Sequence, residues 1–344
     1  MRIYRWEGSA FAIGRQHGLT FREAIRETAA KESLRLAKGN SAKKQAAEDR
    51  LWQIHQQLCA RWLPEFVQEI RGLADGAGIS FGEAFAVSCS TRASVHVPDA
   101  CSSLFVPPGR SASGGTLVGQ NKDTGRDPDE HLFVHKIYES GRRELLLTYA
   151  GWVTNIGISS KGTGICGNSL VGGLAAEREE LSPAIFWRIA HETGDLDLIA
   201  RLAREYPFGG GSVLIAHANG NALVLEFLNG KVGIMPVCEK AWSRANTPLT
   251  PELPRIQSPS QERSDLRQSR LDSLLGREGL FNEQNIVEVF SDHEHYPLSI
   301  CRHHSLLDSN VTTGGYLADL GSGTMRVWRS QPCLGHFTIA NLND

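Results

Sequence analysis

The stretch HVPDACSSLFVPPGRSASGGTLVGQNKDTG, residues 96–125, contains residue types that support nucleophilic catalysis. Cys101 follows the small residue Ala100 and opens a strand-like segment, and a second such segment ends in Gly-Gln-Asn-Lys-Asp at Asp123. If the bond between Ala100 and Cys101 is cut, Cys101 carries both a thiol and a free α-amine. An α-amine has an unperturbed pKa of about 7.7–8.0, which suits a general base near neutral pH. One residue would then supply nucleophile and base, as N-terminal threonine nucleophiles do.

Pairing of the two strand-like segments would bring Asp123 close to the new amine, where a carboxylate orients the amine and balances its charge. The same residues also fit a buried cysteine on a core strand followed by an aspartate in a turn, because an unreactive cysteine behaves as a small hydrophobe. A papain-like pairing with His303 or His304 needs the cysteine at a helix N-terminus, which lowers the thiol pKa. Strand-like sequence follows Cys101 instead, which disfavours that alternative.

The composition excludes several classes of protein. Of the 344 residues, 41% are hydrophobic and 22% charged, so a sizeable core is expected. The chain has 36 basic and 38 acidic residues, which gives no electrostatic reason to expect nucleic acid or a membrane surface as partner. The N-terminus lacks the apolar stretch of a signal peptide. Seven cysteines, with no C-x-x-C spacing, predict a reducing compartment, and we expect a cytoplasmic protein.

Histidines cluster in DHEH, residues 292–295, and in the pair at 303–304. Such spacing suits metal ligands on a strand or loop, but no matching cysteine or carboxylate cluster along the sequence completes a site. The expectation is therefore no metal and no cofactor.

Helical spacing of apolar residues predicts mainly helix over residues 10–92. Pro64 is expected to break or kink this run, because proline removes a backbone donor. Ser80 and Glu83 have the spacing of a capping box that opens a short helix.

The strand-like segments after Cys101 come in hairpins, and Asn-Gly pairs at 219–220 and 229–230 mark two hairpin turns. Residues 247–264 are rich in Pro, Ser and Gln and are expected to form a surface loop before a helix from about Asp265. Because hairpin strands pair antiparallel, this order favours antiparallel sheets layered with helices over a doubly wound parallel sheet.

The chain resembles the acyl-coenzyme A:6-aminopenicillanate acyltransferase (isopenicillin-N acyltransferase) family, the autoproteolytic C45 peptidases of the N-terminal nucleophile (Ntn) hydrolase superfamily. Five segments carry the resemblance in the family's order, over almost the whole chain: EGSAFAIGRQHG (7–18), WLPEFVQEIRGLADGAGIS (62–80), CSSLFV with GQNKD (101–123), RANTPL (244–249) and HYPLSICRH (295–303).

The resemblance implies an α+β fold, a four-layer αββα sandwich of antiparallel sheets. It also implies autocatalytic cleavage before Cys101. Residues 1–100 would form a helical N-terminal segment and residues 101–344 the catalytic domain, the two remaining one globular unit.

The resemblance also assigns roles. Cys101 would be the nucleophile and its amine the base, and Asp123 would hold that amine. Asn246 matches the Asn of the family's T-N motif, whose side-chain amide helps to stabilise the oxyanion. The family usually has Gly before the cysteine, and Ala100 is nearly as small.

Two further residues have weaker matches. Asn168 matches an asparagine that lines the oxyanion region in the wider superfamily, although a turn asparagine after a strand fits equally. Arg267 falls where bile-salt-hydrolase-like relatives have an active-site arginine, although arginines on a helix surface are common. Thr247 stands where the family usually has His, so penicillin specificity is not implied.

The predicted function is that of a self-processed N-terminal-cysteine amidohydrolase or acyltransferase, acting on a small amide or acyl thioester such as an acyl-CoA through an acyl-enzyme. The alternative is an uncleaved, non-enzymatic relative that binds a small molecule or a protein. The expected partners are the small-molecule substrate and the chain's own N-terminal fragment, and a homo-oligomer is left open. Tyr149 and Trp152 follow a strand near the site and fit either a pocket wall or core packing.

Overall fold

The computed structural model of the chain describes residues 1–37, 53–89, 100–125, 127–171, 182, 184–206, 211–255, 257–306 and 310–344. The helices in these ranges are α1 Ala10–Thr20, α2 Arg22–Ala37, α3 over 53–62, α4 Pro64–Ala77, α5 Phe81–Ser88, α6 Ala184–Thr193, α7 Leu196–Glu205, α8 Pro259–Leu275 and α9 Glu283–Phe290. None of the helices within these ranges combines the length and the apolar character needed to cross a membrane.

The strands form two sheets. They are β1 Ile3–Gly8, β2 Ala100–Val106, β3 Leu117–Thr124, β4 Leu132–Tyr138, β5 Arg143–Thr148, β6 Ile156–Ser159, β7 Thr163–Asn168, β8 Gly211–His217, β9 Ala222–Leu228, β10 Lys231–Val237, β11 Trp242–Arg244, β12 Val311–Asp319, β13 Thr324–Arg329 and β14 Phe337–Asn341. The eight-stranded sheet has the order β1-β4-β5-β6-β7-β8-β9-β10, and the six-stranded sheet has the order β11-β2-β3-β12-β13-β14.

Apolar side chains pack on both faces of each sheet. Ile189 of α6 and Ile215 of β8 belong to the core on the outer face of the eight-stranded sheet. Phe105 of β2 and Leu214 of β8 lie in the core between the sheets. Phe290 of α9 lies with residues of α8 and β2 on the outer face of the six-stranded sheet. This order of helices, sheet, sheet and helices confirms the expected αββα sandwich.

β1 is a strand that the sequence pattern does not indicate, because only Trp6 among its six residues is buried. This segment is a strand because its backbone pairs with β4, and the pairing is parallel. The N-terminal segment therefore contributes an edge strand as well as the expected helices. The other pairings among the described strands are antiparallel, as expected.

The local signals in the sequence mark real boundaries. Pro64 occupies the first turn of α4, and Ser80 and Glu83 form the capping box of α5. Asn229 and Gly230 turn between β9 and β10 with φ of 54° and 74°, the positive values that a tight hairpin turn requires.

The expected surface loop over 247–264 is wrong in its last part, because α8 begins at Pro259 rather than near Asp265. Ser258 caps the helix by accepting a hydrogen bond from the amide of Gln261, and proline is favoured in a first helical turn. Ser264, expected on the surface, is buried.

The helices α1 and α4 pack backbone against backbone. Gly14 and Gly18 of α1 face Gly72 and Gly76 of α4, so no side chain separates the two helices there. A Cβ atom at Gly14 would lie 1.9 Å from the carbonyl oxygen of Glu69. Gly14 and Gly18 of EGSAFAIGRQHG are therefore explained by this close approach.

A buried ionic cluster joins the N-terminal segment to the rest of the chain. Glu69 of α4 accepts from Lys136 of β4 at 2.5 Å, from Arg188 of α6 at 2.6 Å and from the hydroxyl of Tyr138 at 2.9 Å. Burial raises the pKa of Glu69, but Lys136 and Arg188 outweigh burial and hold the pKa below its ordinary value. The carboxylate is therefore charged and holds α4 against β4 and α6.

Glu69→Gln should destabilise the fold strongly, because it leaves Lys136 and Arg188 buried beside a neutral amide. Removing one partner of a buried ion pair costs about 3–5 kcal/mol. The matched control on the same helix is Asp75→Asn, since Asp75 pairs with Arg15 where each side chain is 53% exposed. There the free energy of unfolding should change by less than about 1 kcal/mol. Urea unfolding followed by tryptophan fluorescence measures both, and equal losses would contradict the expectation.

Candidate active site

Cys101 lies at the start of β2, on the face that looks toward the other sheet. Side chains alternate along a strand, and Phe105 of β2 belongs to the core between the sheets while Leu104 belongs to the outer core. Cys101 is an even number of residues from Phe105 and shares its face. The residue is only 4% exposed.

The strand β3 places Asp123 beside the bond that would be cut. β2 and β3 pair antiparallel, with Ala100 opposite Asp123 and Cys101 opposite Lys122. Asp123 is fully buried, and its Oδ1 accepts a hydrogen bond of 2.7 Å from the hydroxyl of Thr312 on β12. The expected pairing of the two segments is therefore present in the structure.

The rest of the Gly-Gln-Asn-Lys-Asp segment fixes β3 in place. The Gln120 side chain donates to the carbonyl of Gly167 at 2.5 Å and accepts from its amide at 2.8 Å, which joins the two sheets. The Asn121 side chain donates to the carbonyls of Phe290 and Ile300 at 2.8 and 3.2 Å. The strand is thus anchored on both faces next to Asp123.

Asn246 contacts the backbone nitrogen of Cys101. The Cys101 N–H donates to Asn246 Oδ1 at 3.1 Å, and Arg267 Nη2 donates to the same oxygen at 2.8 Å. Asn246 Nδ2 donates to the carbonyl oxygen of Ser169 at 2.9 Å. A carbonyl only accepts, so these partners fix which end of the amide faces Cys101. The oxyanion role expected for Asn246 needs its NH₂ group, which in this structure faces Ser169.

The segment that carries Asn246 is anchored by buried polar contacts. Arg244 donates to the carboxylate of Glu226 on β9 and, at 2.6 Å, to the hydroxyl of Ser212 on β8. The backbone N–H of Asn246 donates to the hydroxyl of Ser264 on α8 at 2.9 Å. The RANTPL motif is therefore held from the eight-stranded sheet on one side and from α8 on the other.

Arg267 and Asn168 both lie close to this arrangement. Arg267 is 3% exposed, because α8 presents it to Asn246 rather than to solvent. Asn168 accepts from the hydroxyl of Ser103 at 2.8 Å and donates to the carbonyl of Ala245 at 3.0 Å. Its amide thereby links β7 to β2 and to the residue that follows β11, and its partner on β2 is two residues along the strand from Cys101.

The imidazole of His303 is directed to other groups than Cys101. Its Nε2 lies 3.4 Å from Cys333 Sγ and 3.0 Å from His293 Nε2. The structure therefore gives no support to a papain-like pairing of Cys101 with His303.

An aromatic row begins beside Lys122, the cross-strand partner of Cys101. Lys122 Nζ lies 5.2 Å from the ring centroid of Tyr149, Tyr149 contacts Trp152, and Trp152 contacts Trp187 of α6. Trp152 and Trp187 are half-buried. The sequence did not single out Trp187, because the apolar pattern of its segment is that of an ordinary helix packed on the core.

No protein-family model matches the chain. The chain is 25% identical over 315 residues to the 40 kDa form of acyl-coenzyme A:6-aminopenicillanic-acid-acyltransferase from Emericella nidulans, and the match covers 86% of this chain and 83% of that protein. The resemblance to this acyltransferase family is confirmed. The similarity also confirms the prediction of an enzyme.

Solved structures with a similar arrangement include penicillin V acylase from Agrobacterium tumefaciens, at 12% identity and a TM-score of 0.46, covering 70% of this chain and 86% of that one. A mutant of conjugated bile acid hydrolase from Clostridium perfringens matches at 10% identity and a TM-score of 0.41, covering 71% of this chain and 92% of that one. At these values the fold assignment rests on the strand order and packing of the chain itself.

Cys166, near Cys101, should be unreactive in the folded protein. Burial raises the pKa of the Cys166 thiol to about 12, and the hydrogen bond with Tyr316 does not offset it. Since the thiolate is the nucleophile, iodoacetamide should alkylate the exposed Cys238 readily and Cys166 only after unfolding. Peptide mapping by mass spectrometry compares the two, and similar native rates would show that Cys166 is not shielded.

Proposed function

We propose that the chain is a self-cleaving N-terminal-cysteine amidohydrolase or acyltransferase. The observation that carries the proposal is the position of the Cys101 nitrogen, which donates to Asn246 Oδ1 while Asp123 lies across the strand from Ala100. A nitrogen that becomes a free amine at this point would have an acceptor already in place.

Cleavage would begin with attack of the Cys101 thiol on the carbonyl carbon of Ala100. A carbon–sulfur bond forms, the carbon–nitrogen bond breaks, and the thiol proton ends on the released amine. Water then hydrolyses the thioester, which gives a carboxylate on Ala100 and restores the thiol. Asn246 supports this step because it holds the nitrogen that must leave.

Turnover would use the same two groups. The α-amine takes the thiol proton of Cys101, and the thiolate attacks the carbonyl of a small amide or thioester. The protonated amine then donates its proton to the departing amine or thiol, leaving an acyl-enzyme. Water or an acceptor amine resolves it and releases the product. In this mechanism Asn246 and Asp123 orient the amine, so Asn246 acts as an acceptor rather than as an oxyanion donor.

The substrate is proposed to present an apolar or aromatic acyl group. The row of Tyr149, Trp152 and Trp187 begins beside Lys122, the partner of Cys101 on β3, and its last two rings are half-buried. The curated relative is named for acyl transfer from an acyl-coenzyme A to 6-aminopenicillanic acid. Hydrolysis is the simpler outcome here, because transfer needs a second binding site for the acceptor.

The two fragments, 1–100 and 101–344, are proposed to stay together after cleavage. β1 pairs with β4, and Glu69 is buried against Lys136 and Arg188. Separation would expose a strand edge and three buried charges, which disfavours release.

The intact mass of the denatured protein should show two fragments, residues 1–100 and 101–344, in the wild type and one chain in Cys101→Ala. Cys166→Ala, which removes the neighbouring buried thiol, should still be cleaved. An uncut chain in the wild type would remove the free amine and favour the alternative, an uncleaved binding protein. Cleavage in Cys101→Ala would assign the cut to another agent.

Asn246→Ala should lower the amine pKa, because an acceptor favours the protonated amine and the variant lacks it. The acidic limb of the kcat/KM profile should therefore move to lower pH while kcat/KM falls. An oxyanion donor would instead lower kcat by about 10²–10³ without moving the limb. Hydrolysis of a series of acyl p-nitroanilides measures the profile. Ser169→Ala, which removes a hydroxyl beside Asn246 Nδ2 at 3.0 Å, is the control that should leave the limb in place.

A further inference from the structure

Four side chains of the types that bind metals meet outside the Cys101 site. His293, Cys301, His303 and Cys333 each offer one ligand atom, and these atoms all lie within 4.8 Å of one another. The sequence shows only parts of this set, because Cys333 is 30 residues beyond His303.

Four of the six separations are close to those of a tetrahedral site, and the two between His293 and the cysteine sulfurs are within 4.8 Å. The two Sγ atoms of Cys301 and Cys333 lie 3.7 Å apart, and the Nε2 atoms of His293 and His303 lie 3.0 Å apart. His303 Nε2 is 3.8 Å from Cys301 Sγ and 3.4 Å from Cys333 Sγ. With Zn–S of about 2.3 Å and Zn–N of about 2.0–2.1 Å, a regular tetrahedron has edges of about 3.8 Å (S–S), about 3.6 Å (S–N) and about 3.3 Å (N–N).

We propose that these four residues bind one zinc ion. Two thiolates and two imidazoles are a ligand set that zinc takes in tetrahedral sites, and the two thiolate charges neutralise the ion. Cys301 is buried and His303 half-buried, while His293 and Cys333 are exposed. The ion therefore reaches the site from solvent through the exposed pair.

All four positions of the site are filled by protein, so its role is structural rather than catalytic. His293 follows α9, Cys301 and His303 lie on the segment after it, and Cys333 lies in the 3₁₀ turn Pro332–Leu334, which packs against α9. The zinc ion would cross-link these three pieces of chain on the outer side of the six-stranded sheet.

Two hydrogen bonds connect the segment that carries Cys301 and His303 to Asp123. The N–H of Arg302, the residue after Cys301, donates to the Thr312 hydroxyl at 2.9 Å, and that hydroxyl donates to Asp123 Oδ1 at 2.7 Å. Because the hydroxyl has one proton, accepting from Arg302 directs that proton to Asp123. The zinc ion thus holds the segment that positions Asp123, a consequence that rests on the proposed function.

A disulfide between Cys301 and Cys333 is the competing state. Their Sγ atoms are 3.7 Å apart, and a disulfide requires about 2.05 Å. The two states exclude each other because both consume the same thiols.

The first test is the metal content of the full chain, purified under reducing conditions without a metal-affinity step. Elemental analysis should find about one zinc per chain. Replacing the zinc with Co²⁺ should give the visible absorption of tetrahedral cobalt together with a thiolate charge-transfer band. Cys333→Ser should lose both signals. Cys238→Ser, which changes an exposed cysteine elsewhere, and His304→Asn, which changes the neighbouring histidine, should keep them.

Three results would overturn the zinc site. The first is a reduced wild type that contains no zinc and, with Co²⁺, shows no tetrahedral cobalt spectrum. The second is a metal content that is equal in Cys333→Ser and wild type. The third is a Cys301–Cys333 disulfide in protein kept reduced. Because the cobalt spectrum is taken on the wild type, the test does not depend on the folding of a variant.

The second test separates the zinc site from the proposed function. Thr312→Val should keep the zinc and slow cleavage before Cys101, because it removes the hydroxyl between Arg302 and Asp123. Zinc binding in a chain that never cleaves would support the site and count against the proposed function. Unchanged cleavage in Thr312→Val would show that the hydrogen bonds through Thr312 do not connect the zinc site to the function of Asp123. The existence of the zinc site would still be tested by the metal content.

Discussion

The register of β2 against β3 is the constraint on which the candidate site depends. With Ala100 opposite Asp123, the carboxylate lies across the strand from the bond that precedes Cys101, and the thiol is on the face toward the other sheet. A shift of one residue would turn each side chain of the strand to the opposite face. The polar side chains of Gln120 and Asn121 prevent such a shift, because each finds its partners only in this register.

The second requirement is an acceptor at the Cys101 nitrogen, and the chain satisfies it with buried polar groups. Unpaired polar groups are costly in the interior, so the segment around Asn246 needs partners on every side. Arg244 with Glu226 supplies them from the eight-stranded sheet, and Ser264 supplies one from α8. The orientation of the Asn246 amide follows from this arrangement and not from its own position in the sequence.

The sequence predicted what is decided locally. Asn229 and Gly230 determine a turn by their backbone preferences, and Pro64 determines the start of α4 by its missing donor. The start of α8 at Pro259 has a local signal in Ser258, which caps it, whereas the polar composition of residues 247–264 predicted a loop as far as Ser264. β1 had little local signal, because its strand character comes from pairing with β4.

Contacts between distant segments are the part that the sequence could not give. The burial of Arg267 depends on how α8 docks on β11, and helix periodicity alone does not distinguish it from a surface arginine. The grouping of Cys301 with Cys333 also depends on tertiary packing. The C-x-H spacing at 301–303 is visible in the sequence, but Cys333 lies on another segment of the chain. Residue types therefore indicated the chemistry, and tertiary packing decided which partners each residue has.

Two of the groups that join the N-terminal segment to the sheets, His17 and Glu69, keep one charge state near neutral pH. Burial lowers the pKa of His17 to about 3, and its neutral Nε2 accepts from the Gly151 amide at 3.0 Å. A histidine whose folded pKa is depressed contributes stability above its unfolded pKa of about 6.5, and that stability is lost as the pH falls. The pKa of Glu69 is also depressed, so its contribution is present above about 4.3 and is lost in acid. Burial lowers the pKa of Lys136, the partner of Glu69, to about 8. An α-amine freed by the proposed cleavage, with an ordinary pKa of about 7.7–8.0, would therefore titrate in the same pH range as Lys136, while His17 and Glu69 keep their charge states there.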